Sequence, residues 1–346
     1  MTLHERLEAF WRGEEPDRIP YTAYGFFFDN KLDDPAFRKL TADGLGLLRG
    51  TCAFKYVHND VEIRHSSSTD DGVEIRRQTF HTPVGDVWQS HRKGWHDQYY
   101  LKTAEDYRIM TWIWEHTTIE TNDPAMREWM TKLKPWDFAV SFVGRTPLQT
   151  MLVDYAGLEN FGVHLFEFQD EVKALYSAML RSFRKQVELA CAGPLTYLMC
   201  LENFTAETLG PQRYAEFLLP VYEECFPAAR QAGKVVGVHY DGKTKVIREL
   251  FAEAPIDVIE SLTPPPEGDQ TPAEARAAWP NKRFWANVNV GMYSKPAREL
   301  KAYVAAMIHD GAPDGRRLAL ELSEDIPPNW AQSMPVVMDA IHEAAR

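Results

Sequence analysis

At the end of the short apolar run Lys234–His239, an imidazole and a carboxylate stand two residues apart, in His239-Tyr240-Asp241-Gly242. On an extended segment that spacing sends both side chains to one face, where they can work as an acid/base pair or hold a divalent ion. The plain alternative is a buried strand histidine followed by an aspartate that opens the next turn. Another acid, Glu324 in Leu322-Ser323-Glu324-Asp325, ends the last apolar run of the chain. His239, Asp241 and Glu324 together make a mixed nitrogen and oxygen ligand set suited to zinc or a harder divalent cation. Their bland counterpart is a pair of acids, Glu324 and Asp325, placed where a following helix favours negative charge.

Further polar residues end other apolar runs. Glu202 and Glu260 sit at the ends of what read as adjacent strands, where two carboxylates can share a proton or add a ligand; each could equally bond to a nearby loop. Asn203, Asn287 and Asn289 offer amides that both donate and accept. Arg145 is the one strong cation expected beside them, able to grip a carboxylate bidentately or to form a surface salt bridge. Tyr21, Tyr24 and Phe26-Phe27-Phe28 follow the rigid Pro20, and Tyr24 and Phe27 are read as an aromatic wall against a substrate. Trp112, Trp114, Trp129 and Trp136 are read as a helical collar rather than a cofactor box.

These residues need a frame, and the apolar periodicity supplies one. Segments 138–143, 195–201, 234–239, 256–259, 284–290 and 318–322 read as short strands. Segments 167–192, 211–232, 243–254, 272–278, 297–310 and 331–345 read as the helices between and after them, with Gly193 and Gly233 as left-handed closing residues. Six β-then-α units imply a parallel sheet. With two more strands from the irregular N-terminal third, they imply an α/β fold of the (β/α)8 TIM-barrel type, whose active site forms at the carboxyl ends of the strands. No Gly-rich phosphate turn argues for a doubly wound sheet instead. An opening helix over 3–13 precedes the barrel, and residues 60–101 read as an inserted antiparallel ribbon with a hairpin around 82–86. The expected organisation is one barrel domain over residues 1–346.

The 346 residues carry 38 Lys+Arg against 50 Asp+Glu, a formal net charge of −12. That field repels phosphate backbones and anionic membranes, so nucleic acid and membrane are not expected partners. Cys52, Cys191, Cys200 and Cys225 show no close spacing, which argues against a disulfide framework or an all-thiolate zinc site. The first fifteen residues lack the form of a signal peptide and no apolar run is long enough to span a bilayer; a cytoplasmic enzyme is expected. A homodimer is compatible with the sequence without being specified by it.

At these residues the chain resembles the uroporphyrinogen decarboxylase superfamily, which includes the decarboxylase and methyltransferases working with corrinoid proteins, thiols or tetrahydrofolate. Gly13-Glu14-Glu15-Pro16-Asp17-Arg18-Ile19-Pro20 looks like the family's opening turn, and Val143-Gly144-Arg145-Thr146-Pro147 with Gly157 looks like its Gly-Pro loop. Leu219-Pro220 is similar to the end of its S-P-x-x-F helix. His239-Tyr240-Asp241-Gly242 stands at its H-x-C-G position, and Ile326-Pro327-Pro328 at its G-I-x-P segment. The resemblance implies a β/α barrel.

Departures from the pattern choose the branch. Where the decarboxylases resemble one another in an Arg-rich N-terminal motif, this chain has Tyr21-Thr22-Ala23-Tyr24-Gly25-Phe26-Phe27-Phe28-Asp29, and Glu324 replaces their late His. The thiol-activating methyltransferases hold zinc by His-x-Cys and a late Cys; His239, Asp241 and Glu324 occupy those positions without a thiolate. The resemblance therefore implies a methyltransferase or demethylase moving a methyl group between a small methylated donor, or a corrinoid carried by a partner protein, and an acceptor such as tetrahydrofolate. A divalent metal on His239, Asp241 and Glu324 would assist, Glu202 and Glu260 would handle a proton or a ligand, and Arg145, Asn203 and Asn289 would orient the substrate. A porphyrinogen decarboxylase is the alternative within the superfamily. A non-catalytic barrel that binds a corrinoid protein or an aromatic ligand is the alternative outside it.

Overall fold

Thr2 starts the first helix, α1 (Leu3–Arg12), by a reciprocal cap: its hydroxyl accepts from Glu5 N at 3.3 Å while the Glu5 carboxylate accepts from Thr2 N at 2.6 Å. Gly13 ends it at φ +73°, a left-handed conformation that favours glycine. The apolar face of α1 presents Leu3, Leu7 and Phe10 to a barrel, as the 3.6-residue period predicts.

In this computed structural model, which describes residues 1–345, the strands in chain order are β1 (Tyr21–Tyr24), β2 (Leu45–Thr51), β3 (Phe54–His58), β4 (Glu62–Asp70), β5 (Val73–Thr82), β6 (Gly85–Arg92) and β7 (Trp95–Gln98). They continue as β8 (Thr117–Thr121), β9 (Asp137–Gly144), β10 (Tyr197–Cys200), β11 (Val235–His239), β12 (Val258–Leu262), β13 (Arg283–Asn287) and β14 (Leu318–Leu322). Eight of them close a barrel in the order β1-β14-β13-β12-β11-β10-β9-β2, paired in parallel. With the helices that return between strands, this is the expected (β/α)8 barrel. No helix among the described residues is long and apolar enough to cross a membrane.

The chain forms two compact units. The first comprises Met1–Cys52, Pro124–Phe142 and the chain from Cys191 onward; the second comprises Ala53–Asp123 and Val143–Ala190. Within the first, Tyr197, Val258, Trp285 and Ala319 meet Leu7 and Phe10 of α1 in one buried cluster. Trp285 Nε1 donates to Thr22 Oγ1 at 2.8 Å, so the indole is satisfied inside. Side chains two residues further along a strand face the same way. Beyond Val258, Trp285 and Ala319 those positions are Glu260, Asn287 and Glu321, and the barrel changes from apolar to polar within one layer.

In the second unit, β4-β5-β6-β7 form the antiparallel ribbon expected over 60–101, joined by a β3-β8 pair. Every residue of β4 is exposed, and few ribbon side chains, among them Phe80 and Val87, are buried. Such a ribbon cannot bury enough surface to stand alone. The helix Ala104–Glu115, which packs on β6, and the helix Gln169–Ala192 complete its core, so the unit is larger than the ribbon read from sequence.

The helix read over 211–232 is present: it starts after Gly210, at φ 72°, and runs to Gln231 with a π-helical turn over Tyr214–Leu218. One local expectation needs correction. Gly233 takes the expected left-handed conformation, at φ +73°, whereas Gly193 does not.

Gly237 is required by its neighbour, because a Cβ there would overlap the Tyr197 hydroxyl. We predict that Gly237→Ala destabilises the protein by about 1–3 kcal/mol, the usual cost of overpacking. Tyr197→Phe in the same chain should restore part of the loss, since that hydroxyl has no hydrogen-bond partner. Urea unfolding of the two variants checks it.

Candidate functional site

Parallel register places His239, the last residue of β11, directly beside Glu260 of β12. His239 Nδ1 hydrogen-bonds Glu260 Oε2 through a short contact. Tyr24, at the end of β1, donates its hydroxyl to Glu260 Oε1 at 2.7 Å and lies 3.1 Å from His239 Nδ1. With the Tyr24 proton committed to Glu260, the remaining hydroxyl lone pairs accept, so Nδ1 carries a hydrogen. On the other side of the ring, His239 Nε2 faces Asp241 Oδ2 at 3.4 Å, and Asn203 Nδ2 donates to the same oxygen at 3.1 Å.

The environment settles the charges. Burial alone would discharge His239, but the Glu260 and Asp241 carboxylates outweigh it and hold the imidazole well above its usual range, so it is an imidazolium at neutral pH. Asp241 is raised by burial yet ends below the usual carboxylate range because His239 and Asn203 bond to it. Burial first, and the nearby Glu260 charge second, hold Tyr24 protonated.

Glu321 completes the cluster and was not foreseen. Burial first, and Glu260 second, push it well above the carboxylate range, so it is the neutral acid and shares a hydrogen bond with Glu260. Its Oε1 accepts from Ser261 N at 2.7 Å. That N–H is available because β12 shifts register between Glu260 and Leu262, with Ser261 at φ 61°. A bulge at the rim of a barrel re-aims the chain in this way. Ser261 Oγ also meets Ser323 Oγ at 2.6 Å.

Of the sequence-predicted residues, His239, Asp241, Glu260, Asn203 and Tyr24 come together. Glu202 does not join them. Strand β11 lies between β10 and β12, so Glu202 and Glu260 are not on adjacent strands, and Glu202 instead accepts from Tyr222 Oη at 2.8 Å and Cys200 Sγ at 3.4 Å. The carboxyl partner of Glu260 is Glu321. Asn289 is a cap: its Oδ1 accepts from Gly291 N at 2.9 Å and its amide donates to Glu267. Phe26 and Phe27 lie against Tyr24, ring centroids 5.5 and 5.9 Å away, whereas Phe28 turns into the core between Phe37 and Trp330. Arg145 belongs to the second unit, where it pairs with Asp154 at 3.2 Å.

The three expected metal ligands fit an ion only in part. His239 Nε2 and Asp241 Oδ2 are close enough for one cation to meet both, and Nδ1 bonded to a carboxylate is the usual outer partner of a ligating histidine. Glu324 instead lies at the exposed rim, its Oε1 3.4 Å from Ser261 Oγ. Among the described residues no group of three or more His, Cys, Asp or Glu side chains is arranged to hold a metal ion.

The charge pattern sets a pH dependence. A histidine raised in the folded state stabilises the protein below its ordinary value near 6.5, and that contribution fades as pH climbs towards the folded value. Glu321, raised from near 4.5, costs stability in the same direction, because the folded state holds a proton that the unfolded chain releases. Unfolding free energy should therefore decline as pH rises above 6.5, and Glu321→Gln, which is neutral throughout, should flatten the slope. Denaturant titrations at pH 6, 7.5 and 9 measure both.

Among solved structures, the chain is similar to PbGH5A, a glycoside hydrolase family 5 enzyme from Prevotella bryantii B14, with 14% identity over 64% of this chain and 75% of that one, at a TM-score of 0.38. It is also similar to a putative mandelate racemase/muconate lactonizing enzyme from Roseovarius nubinhibens ISM complexed with magnesium, with 11% identity over 84% of each chain, at a TM-score of 0.25. At such scores neither says what this chain does. No curated protein matches it. Residues 150–344, more than half of the sequence and the part that supplies His239, Asp241, Glu260 and Glu321, match the family model of uroporphyrinogen decarboxylase (URO-D), and the chain belongs to that family.

Proposed function

We propose that this URO-D family member is a methyltransferase, moving a methyl group between a small methylated donor, or a corrinoid on a partner protein, and an acceptor such as tetrahydrofolate. One observation carries the choice over decarboxylation: the charge at the carboxyl ends of the strands. One imidazolium there faces the carboxylates of Glu260 and Asp241, with Glu321 beside them and Glu324 at the rim. Arg49, on β2, is already paired with Asp29 at 2.6 Å and Asp137 at 3.1 Å. A porphyrinogen with its many carboxylates needs several uncommitted cations, whereas an excess of carboxylate favours a neutral or cationic donor.

The cluster suits the proton side of methyl transfer. When a heteroatom loses its methyl group it keeps the bonding electron pair and becomes a base. His239 holds a proton on Nε2 across a long 3.4 Å contact to Asp241, a contact that a substrate atom can replace. Proton transfer from Nε2 to the heteroatom leaves a neutral imidazole, which Glu260 keeps oriented through Nδ1. Run in the other direction, the same pair takes the proton from an acceptor. Glu321 and Tyr24 stay neutral and hold the Glu260 carboxylate in place.

A divalent cation, zinc or a harder ion, is the remaining part of this proposal. His239 and Asp241 would hold it in place of the Nε2 proton, and it would then polarise the same heteroatom. Metal analysis of the purified protein beside His239→Ala tests that part alone.

The expected result for the reaction itself is demethylation of at least one member of a panel of methylated amines, ethers and thioethers given cob(I)alamin or tetrahydrofolate, followed by mass spectrometry. Glu260→Gln should lower kcat by about 10²–10⁴-fold, the usual range for a general acid/base device. Coproporphyrinogen formed from uroporphyrinogen would overturn the assignment, and ligand binding without any turnover would make the barrel a binding protein.

A further inference from the structure

The second unit contains a cavity of about 480 Å³ that the reaction above does not use. Its walls are largely aromatic. Phe80 and Tyr100 lie in parallel planes, 6° apart with centroids at 5.1 Å, and Trp114 stands edge-on to Tyr56 at 5.7 Å. Flat walls of this kind favour a flat ring stacked or edge-packed against them.

The polar groups narrow the choice. Gln78 and Gln89 are direct partners across β5 and β6. Gln78 Oε1 accepts twice, from Tyr100 Oη at 2.7 Å and from Gln89 Nε2 at 3.1 Å. Gln89 turns its nitrogen towards Gln78, and reversing that amide alone would set two oxygens against each other. Its Oε1 is left buried, lining the cavity, with no hydrogen-bond partner. A buried acceptor without a donor costs about 1–3 kcal/mol, and a ligand N–H would relieve it.

Charge points the same way. The Arg145–Asp154 pair, 3.2 Å apart, is internally compensated. His58 is lowered by burial, and His96 by burial and then by His91, so both line the cavity as neutral rings. An ionic ligand would find no uncompensated opposite charge among these groups.

We propose that this cavity binds a planar, neutral nitrogen heterocycle, stacked among Tyr56, Phe80, Tyr100 and Trp114, with a ring N–H donated to Gln89 Oε1. The site does not depend on which reaction occurs at the barrel.

Benzimidazole and 1-methylbenzimidazole probe it, being flat and neutral at pH 7.5 and differing in the N–H. Isothermal titration of the intact protein should show benzimidazole binding at least tenfold more tightly. Gln89→Leu should reduce that ratio to near one, and Tyr56→Ala should weaken both probes. Thermal unfolding of each variant confirms the fold, and displacement of bound benzimidazole by adenine, but not by benzoate, should hold for the unaltered protein whatever the variants do. Equal affinity for the two probes, no binding of either, or displacement by benzoate overturns the proposal.

Discussion

An imidazolium enclosed by carboxylates governs the upper half of this barrel. Removing an ion from water costs several kcal/mol even after a protein relaxes around it, and His239 meets that cost through two oppositely charged neighbours, Glu260 on one ring nitrogen and Asp241 near the other. The arrangement then constrains everything around it. A third charged carboxylate in the same dry space would be repelled, and Glu321 accordingly keeps its proton. Its acceptor oxygen still needs a donor, and the register shift at Ser261 supplies a backbone N–H. A strained left-handed serine, an acid held neutral and a tyrosine committed to Glu260 are thus consequences of one buried charge.

The lower half makes that chemistry possible by excluding water. Helix α1 closes the barrel with Leu3, Leu7 and Phe10, and Trp285 fills the interior beside Phe138 and Tyr197, at centroid distances of 5.3 and 5.5 Å. Electrostatic effects strengthen in such a medium, so the same residues that stabilise the fold by apolar burial also set the protonation states one layer above. Gly237 shows how tight the join is: Tyr197 occupies the volume a larger residue would need, two positions before His239 on the same face of β11.

Much of this was legible in the sequence. Short apolar runs bounded by Gly, Pro or Asp located six barrel strands, and their alternation with helices implied closure. The two-residue spacing of His239 and Asp241 did bring them to one side. What pattern could not supply was neighbourhood. Glu202 and Glu260 end runs that looked adjacent, yet β11 runs between their strands, and Glu202 answers to Tyr222 instead. Glu321 hides inside Leu-Ala-Leu-Glu-Leu, where an apolar frame reads as core and one acid as an exception. The bulge that serves it depends on the φ of Ser261, which no residue type announces. Asn289 has the chemistry of a ligand contact and the local geometry of a cap, and only coordinates separate the two.

Membership of the URO-D family fixes the frame, and the frame leaves chemistry to the residues at its mouth. Replacing a thiolate by Asp241 beside the histidine does more than remove a soft ligand. A carboxylate 3.4 Å from Nε2 favours a proton on that nitrogen, so any cation seeking His239 must displace it. The same residue adds negative charge at the carboxyl ends of the strands. On the reading proposed above, both effects push in one direction: Asp241 and Glu260 build a proton-holding pocket around His239 that suits neutral or positively charged reactants.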